Sequence, residues 1–235
     1  MEKIMIVGDV HGEWDKLNDL INHKNPDIIL QCGDFGWWPN LECKAKTLYG
    51  GLKQKSWKLE GIKANNTKIY WCDGNHEDHY ALERFTPDKP RYSILLYKGV
   101  YYMPRGSVFK LPDGRNVMFI GGADSIDKNH RTLGIDWFEE ELINYEQQNH
   151  ILDYDEKVDI IISHTCPLEW EPRECLFGKE QDPTRKILSA VLEKFKPDMW
   201  IHGHWHIEKS GKHNNTYWES LSCPGSQGRW WKWLK

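Results

Sequence analysis

His204 and His206 flank Trp205 in "WIHGHWH", directly after an apolar run that reads as a strand. An extended backbone sends alternate side chains to one face, so both imidazoles would point at one spot. Paired imidazoles facing one spot suit a metal ion. Further donors lie at the ends of other apolar runs: Asp9 and His11 in "GDVHG", Asp34 in "GDFG", Asn75 in "GNHE" and His164 in "SH". Together these make seven oxygen and nitrogen donors and no thiolate. The set is too large for one tetrahedral zinc but fits two divalent ions sharing a bridging group. Mixed carboxylate and imidazole donors suit Mn, Fe, Zn or Ni better than Ca or Mg alone. Sites of this kind hold their ions roughly 3.5–4 Å apart, activate a bridging hydroxide and hydrolyse phosphate esters. The plainer alternative is that Asp and Asn merely cap turns after strands. Five blocks, each following a strand, make coincidence a poor account.

These donors need a scaffold that brings several strand ends together. "KIMIV", "DIILQC", "TKIYWC", "KVDIIIS" and "DMWI" are short, apolar and β-rich. Leu17, Leu20 and Ile21 fall at helical spacing after the first strand. "LECKAKTLYGGLKQKSWKLEG" reads as a helix interrupted by Gly50 and Gly51, and "DPTRKILSAVLEKF" as a helix capped near Asp182. Strands alternating with helices predict an α/β sheet covered on both faces, with the site at the strands' carboxyl ends. The middle differs: "VFKLPDGRNVMFI" predicts an antiparallel hairpin around a Pro-Asp-Gly turn. In residues 134–152, Ile135, Phe138, Leu142, Ile143 and Tyr145 predict a helix. "TYWESLSCPGS" and "GRWWKWLK" read as closing strands, with a structural turn at Gly225 and Ser226.

The chain has 235 residues, 39% of them hydrophobic and 13% aromatic, enough for a sizeable core. No repeat and no Gly/Ser linker divides it, so residues 1–235 read as one domain, with a possible small cap within 78–120. The net charge of −4 speaks against tight nonspecific DNA binding. No apolar run approaches the roughly 20 residues of a membrane span. None of the six cysteines forms a C-x-x-C pair, so free buried thiols are expected. With no secretory pattern at the N-terminus, the expectation is a cytoplasmic protein without membrane contact. His23, His79, His150 and His213 are expected at the surface, and His202 packed on the strand face opposite the donors. Trp37 and Trp38 could border a substrate pocket and stack on a base, but core packing is the simpler expectation.

The blocks "GDVHG", "GDFG", "GNHE", "SH" and "GHWH", in this order across residues 8 to 206, resemble the calcineurin-like metallophosphoesterase superfamily. The resemblance implies two mixed β-sheets packed as a sandwich flanked by helices. It also implies one metal on Asp9, His11 and His206, another on Asn75, His164 and His204, and Asp34 as the bridge. His76 would then stand beside the metals, protonating the leaving alkoxide or stabilising charge on the phosphoryl group while a bridging hydroxide attacks in line. Manganese is the first expectation for both metals.

The sequence departs from the Ser/Thr protein phosphatase branch, whose second block reads G-D-x-x-D-R-G. Here it is "GDFGWWPN", without the orienting Asp or the phosphate-gripping Arg. The second histidine of "GHWH" is more typical of phosphodiesterases and nucleases, whereas Glu77 matches a form common among the phosphatases. A replacement grip is read in "GGADSIDKNHRTLG", where Arg131 could hold phosphate bidentately. The alternative for Arg131 is a loop arginine paired with Asp127 or Asp124. The expected activity is hydrolysis of a small phosphodiester, a nucleotide or a nucleic-acid end. The alternatives are a protein phosphatase-like monoesterase and a noncatalytic scaffold of the same fold.

Overall fold

The computed structural model describes residues 2–39, 59–86, 91–173 and 182–235. The predicted helix over 41–61 lies almost entirely outside them, as do Cys43 and Cys175. The described residues form two mixed sheets of six strands each. In the first, β1 (Ile4–Val7), β2 (Ile28–Gln31), β3 (Lys68–Trp71) and β5 (Val100–Tyr102) run parallel. Antiparallel β12 (Trp231–Trp233) and β4 (Ile94–Tyr97) close its two edges. The second repeats this plan. Its parallel strands are β7 (Asn116–Ile120), β8 (Ile160–Ser163), β9 (Met199–His202) and β11 (Thr216–Ser220). Its antiparallel edges are β6 (Ser107–Lys110) and β10 (Lys209–His213). The predicted Pro-Asp-Gly hairpin is the β6–β7 pair. Described residues of the 78–120 segment supply edge strands to both sheets.

Strand alternation sorts the apolar residues into layers. Ile4, Ile6, Leu30, Phe119, Ile162 and Ile201 meet between the sheets in one buried cluster. Met5, Val7, Ile29 and Trp71 face outward and are covered by Leu17, Leu20 and Ile21 of α1 (Trp14–Lys24), in a cluster that also takes in Ala81 and Leu82 of α2 (His79–Glu83). On the far side, Met118, Ile161 and Trp200 pack against α3 (Tyr145–Leu152) and α4 (Pro183–Phe195). Parallel strands buried on both faces explain the near-continuous apolar runs. α4 begins as its sequence predicts: Asp182 accepts the Arg185 N–H at 3.1 Å, and Pro183 occupies the first turn.

One predicted element is wrong. Residues 134–144 are not α-helical, and α3 starts only at Tyr145. Asn144 and Gln147 form a capping box there, each side chain bonding the other's backbone N–H. Ile135 and Tyr145, counted on the apolar stripe, are exposed. Trp37 and Trp38 are buried, as core packing requires, and Cys32, Cys72, Cys166 and Cys223 are buried free thiols. Among the described residues no helix is long and apolar enough to cross a membrane.

Candidate metal centre

The loops after β1, β2, β3, β8 and β9 gather at one end of the sandwich. Val10 and His11 both donate their backbone N–H to the Asp34 carbonyl, at 3.0 and 2.7 Å, tying the first two loops together. Glu77 ties the second to the third: its carboxylate accepts the N–H of Gly36 at 2.9 Å and of Gly74 at 2.6 Å. Burial, and then the nearby Asp34 charge, push the Glu77 carboxyl well above the usual carboxylate range. The motif glycines let the loops close. A Cβ on Gly203 would lie 1.9 Å from Asp9 Oδ1, and one on Gly74 2.1 Å from Asp34 Oδ1.

All seven sequence-predicted donors come together, in two groups. In the first, ligand atoms of Asp9, His11, Asp34 and His206 lie within 4.8 Å of one another. His206 Nε2 is 2.9 Å from Asp9 Oδ2 and 3.0 Å from His11 Nε2. In the second, Asn75 Oδ1 is 2.9 Å from His164 Nε2 and 3.1 Å from His204 Nδ1. Asp34 stands between the groups. Its Oδ2 is 3.6 Å from His11 Nε2, and its Oδ1 is 3.4 Å from His164 Nε2.

The two histidines of the last block do not reach the centre by strand alternation. β9 ends at His202, and His204 and His206 take left-handed φ values of 66° and 50°. His11 and Asp34 are left-handed as well, at 50° and 49°. A non-glycine residue is rarely held there, and such strain concentrates at functional sites. His202 faces the other way. It is buried and accepts the Trp170 Nε1–H at 3.3 Å, and burial takes its imidazole down to about 3.

The donor set fits a cation. His164 Nδ1 lies 2.9 Å from the Cys32 carbonyl, which can only accept, so Nδ1 carries a proton and Nε2 is the nitrogen left to face a cation. The Asn75 NH₂ donates to Ser125 Oγ at 2.9 Å, which turns Oδ1 inward. With Nε2 unprotonated, as a metal ligand must be, two lone pairs would meet at 2.9 Å inside the protein. Such an arrangement costs free energy unless a positive centre sits there. In the other group, burial raises the Asp9 carboxyl, but the His206 hydrogen bond and neighbouring imidazoles hold it well below the usual range. Burial disfavours a charged His206, yet the Asp9 hydrogen bond carries it up to about 11.

His76 lies at the edge of the centre, its Nε2 4.0 Å from Asp34 Oδ2. Arg131 reaches it: Nη2 is 2.9 Å from His76 Nε2, while the same guanidinium pairs with Asp127 at 2.7 Å. The arginine side chain is only 4% exposed, so it is built into the site as well as paired with Asp127. Arginine can only donate, so His76 Nε2 accepts and the imidazole is neutral. Burial, then the Arg131 charge, hold His76 well below its ordinary value.

Sequence reasoning missed a buried layer behind the donors. Asp73 accepts both Nε and Nη2 of Arg105, at 3.0 and 2.7 Å, and the Tyr102 hydroxyl at 2.9 Å. Glu141, read as part of a helix, is buried against Ser125. His79, expected at the surface, is buried, and burial takes it down to about 4. The one available signal was the serine of "GGADS", which follows a strand as the donor blocks do.

Solved structures of similar fold include phosphopantetheinyl hydrolase (PptH) from Mycobacterium tuberculosis, 13% identical, with a TM-score of 0.54 over 99% of this chain and 95% of that one. Another is TT1561 of Thermus thermophilus, 11% identical, with a TM-score of 0.50 over 94% of this chain and 89% of that one. At these identities the likeness concerns the fold alone. No curated protein matches the chain. Residues 2–208 match the sequence profile of the calcineurin-like phosphoesterases, and the chain belongs to that family.

Proposed function

We propose that the chain is a two-metal phosphoester hydrolase acting on a small phosphodiester, a nucleotide or a nucleic-acid end. Family membership implies a metal-dependent phosphoesterase; the ion count, ligands and substrate are the proposal. The observation that carries it is the position of Asp34, with one carboxylate oxygen toward each donor group. Asp9, His11 and His206 would hold one ion, Asn75, His164 and His204 the other, and Asp34 would bridge them. Mn²⁺ suits this mixture of carboxylate, amide and imidazole. The ions, when bound, supply a water activated near neutral pH and positive charge against the phosphoryl oxygens. The chain's own part is orientation. Arg131 offers a forked donor to those oxygens, and an incoming phosphate competes for it with His76 and Asp127. With Arg131 turned to the phosphate, His76 Nε2 is released to take up a proton, and as a donor it would stabilise the charge that develops on the phosphoryl and leaving oxygens.

An arginine beside His76 is also what a dianionic monoester would use, which makes monoester hydrolysis the second reading. The test is a paired assay with Mn²⁺ on bis-p-nitrophenyl phosphate, a diester, and p-nitrophenyl phosphate, a monoester. Preferential diester cleavage, reduced roughly 10²-fold or more in His76→Ala with metal content retained, is the expected result. Monoester preference would select the second reading. Two bound metals with no turnover of either ester would point to the noncatalytic scaffold. Turnover unchanged in His76→Ala would remove its catalytic role.

A further inference from the structure

We propose that Ser125 and Glu141 are positioning residues that decide which end of the Asn75 amide faces His164 and His204. The role rests on Asn75 serving as a metal ligand, as proposed above. The two ends of a carboxamide have nearly the same shape, and only the oxygen can bind a cation. A half-turn of the Asn75 side chain would aim the NH₂ at His164 and His204 and leave the inner group one ligand short.

Ser125 Oγ, 2.9 Å from Asn75 Nδ2, cannot choose the orientation alone. A hydroxyl accepts from NH₂ or donates to the carbonyl oxygen equally well. Glu141 breaks the tie. Ionised, as it is above the value of about 7 to which burial raises it, it takes the one Ser125 hydroxyl proton on Oε2 at 2.7 Å and the Ser125 backbone N–H on Oε1 at 2.8 Å. The serine oxygen is then only an acceptor toward Asn75. It must meet the NH₂, and Oδ1 turns toward the histidines.

The carboxylate is itself held in place. Arg105 donates to the carbonyls of Glu140, Glu141 and Leu142 at 2.9, 3.0 and 2.7 Å. Its guanidinium is anchored on Asp73, two residues before Asn75. Partners that orient a ligand in this way are typically worth 10–100-fold in metal affinity.

Mn²⁺ titration of the full chain, followed by calorimetry and by the EPR of free Mn²⁺, tests the role. Glu141→Gln keeps the shape but places an NH₂ against either the serine hydroxyl or its N–H. It should weaken one of two Mn²⁺ sites about 10–100-fold and spare the other. Ser125→Ala should do the same, and Ser125→Thr should restore affinity. In an Asn75→Ala background, Glu141→Gln should add nothing, which a merely structural role would not produce. If Ser125→Ala fails to fold, the isosteric Glu141→Gln and the Ser125→Thr variant carry the test. Wild-type affinity at both sites in Glu141→Gln overturns the positioning role and leaves the metal centre standing. A wild-type chain that binds no Mn²⁺ overturns the centre and the role together.

Discussion

The two donor groups reach the same end by opposite physical means. Around Asp9 the group is open and charged: the His11 and His206 side chains are 19% and 38% exposed, and His206 pairs directly with the buried carboxylate. Around Asn75 it is more enclosed and, apart from the shared Asp34, contains no carboxylate. His164 is fully buried, and Cys32 and Ser125 occupy the outer polar atoms of His164 and Asn75, which leaves Nε2 and Oδ1 turned inward. Charge pairing tolerates water and needs no third party. Neutral lone pairs tolerate burial but need a hydrogen-bonded backing for every atom. The open side is therefore suited to admit substrate, and the enclosed side to hold its geometry.

The comparison breaks first at Asp34, the residue common to both groups. Asp34→Ala should empty or weaken both metal positions and cut turnover by about 10³-fold or more, corresponding to roughly 4 kcal/mol of transition-state stabilisation. Metal content per chain by mass spectrometry, measured beside turnover, checks it. Two firmly bound ions in that variant would refute the bridge and separate the groups into independent sites.

The open group was legible in the sequence because it is made of residue types. Asp9, His11 and His206 announce metal chemistry wherever they stand after strands. The strands carrying them were legible too, since burial on both faces leaves continuous apolar runs. The backing of the enclosed group was not. Ser125 and Glu141 are ordinary residue types, and they lie 50 and 66 positions beyond Asn75. Glu141 was hidden further inside an apparent helical stripe, in which exposed Ile135 and Tyr145 counted as much as buried Phe138 and Ile143. The left-handed turns at His204 and His206 were equally invisible, because the expectation of one shared face assumed an extended backbone. His79 looked like a surface residue until tertiary packing buried it beside Phe138.

Acid should act on the backing of the enclosed group in the protein without metal. Behind the enclosed group, His79 is held neutral, its value falling from 6.5 to about 4 in the fold. Its contribution is therefore full above the unfolded value and is lost as pH falls from 6.5 toward 4, on the order of 2 kcal/mol by pH 5. The Asp9 carboxyl lies below its unfolded value of 3.8, so its contribution persists through that window and goes only in stronger acid. Denaturant unfolding at pH 7 and pH 5 should show the loss in the wild type and a smaller one in His79→Leu. Equal losses in both proteins would place the acid-sensitive element elsewhere.

The smallest expected effect concerns the open side alone. Arg131 lies next to His76, on the face where substrate would enter, and is paired with Asp127 in the meantime. If its work is to grip phosphate in the ground state and transition state alike, Arg131→Ala should raise KM about tenfold with a smaller change in kcat, near 1.4 kcal/mol of uniform binding. Arg131→Lys should recover only part of this, since an ammonium cannot reproduce the planar fork. Metal affinity should move little in either variant, because the guanidinium touches a donor residue only at the Asn75 backbone carbonyl, 3.5 Å away, and no ligand atom. An unchanged KM would return Arg131 to the role of a loop arginine tied to Asp127. Weakened metal binding would instead mean that the guanidinium steadies the Asn75 loop through that carbonyl.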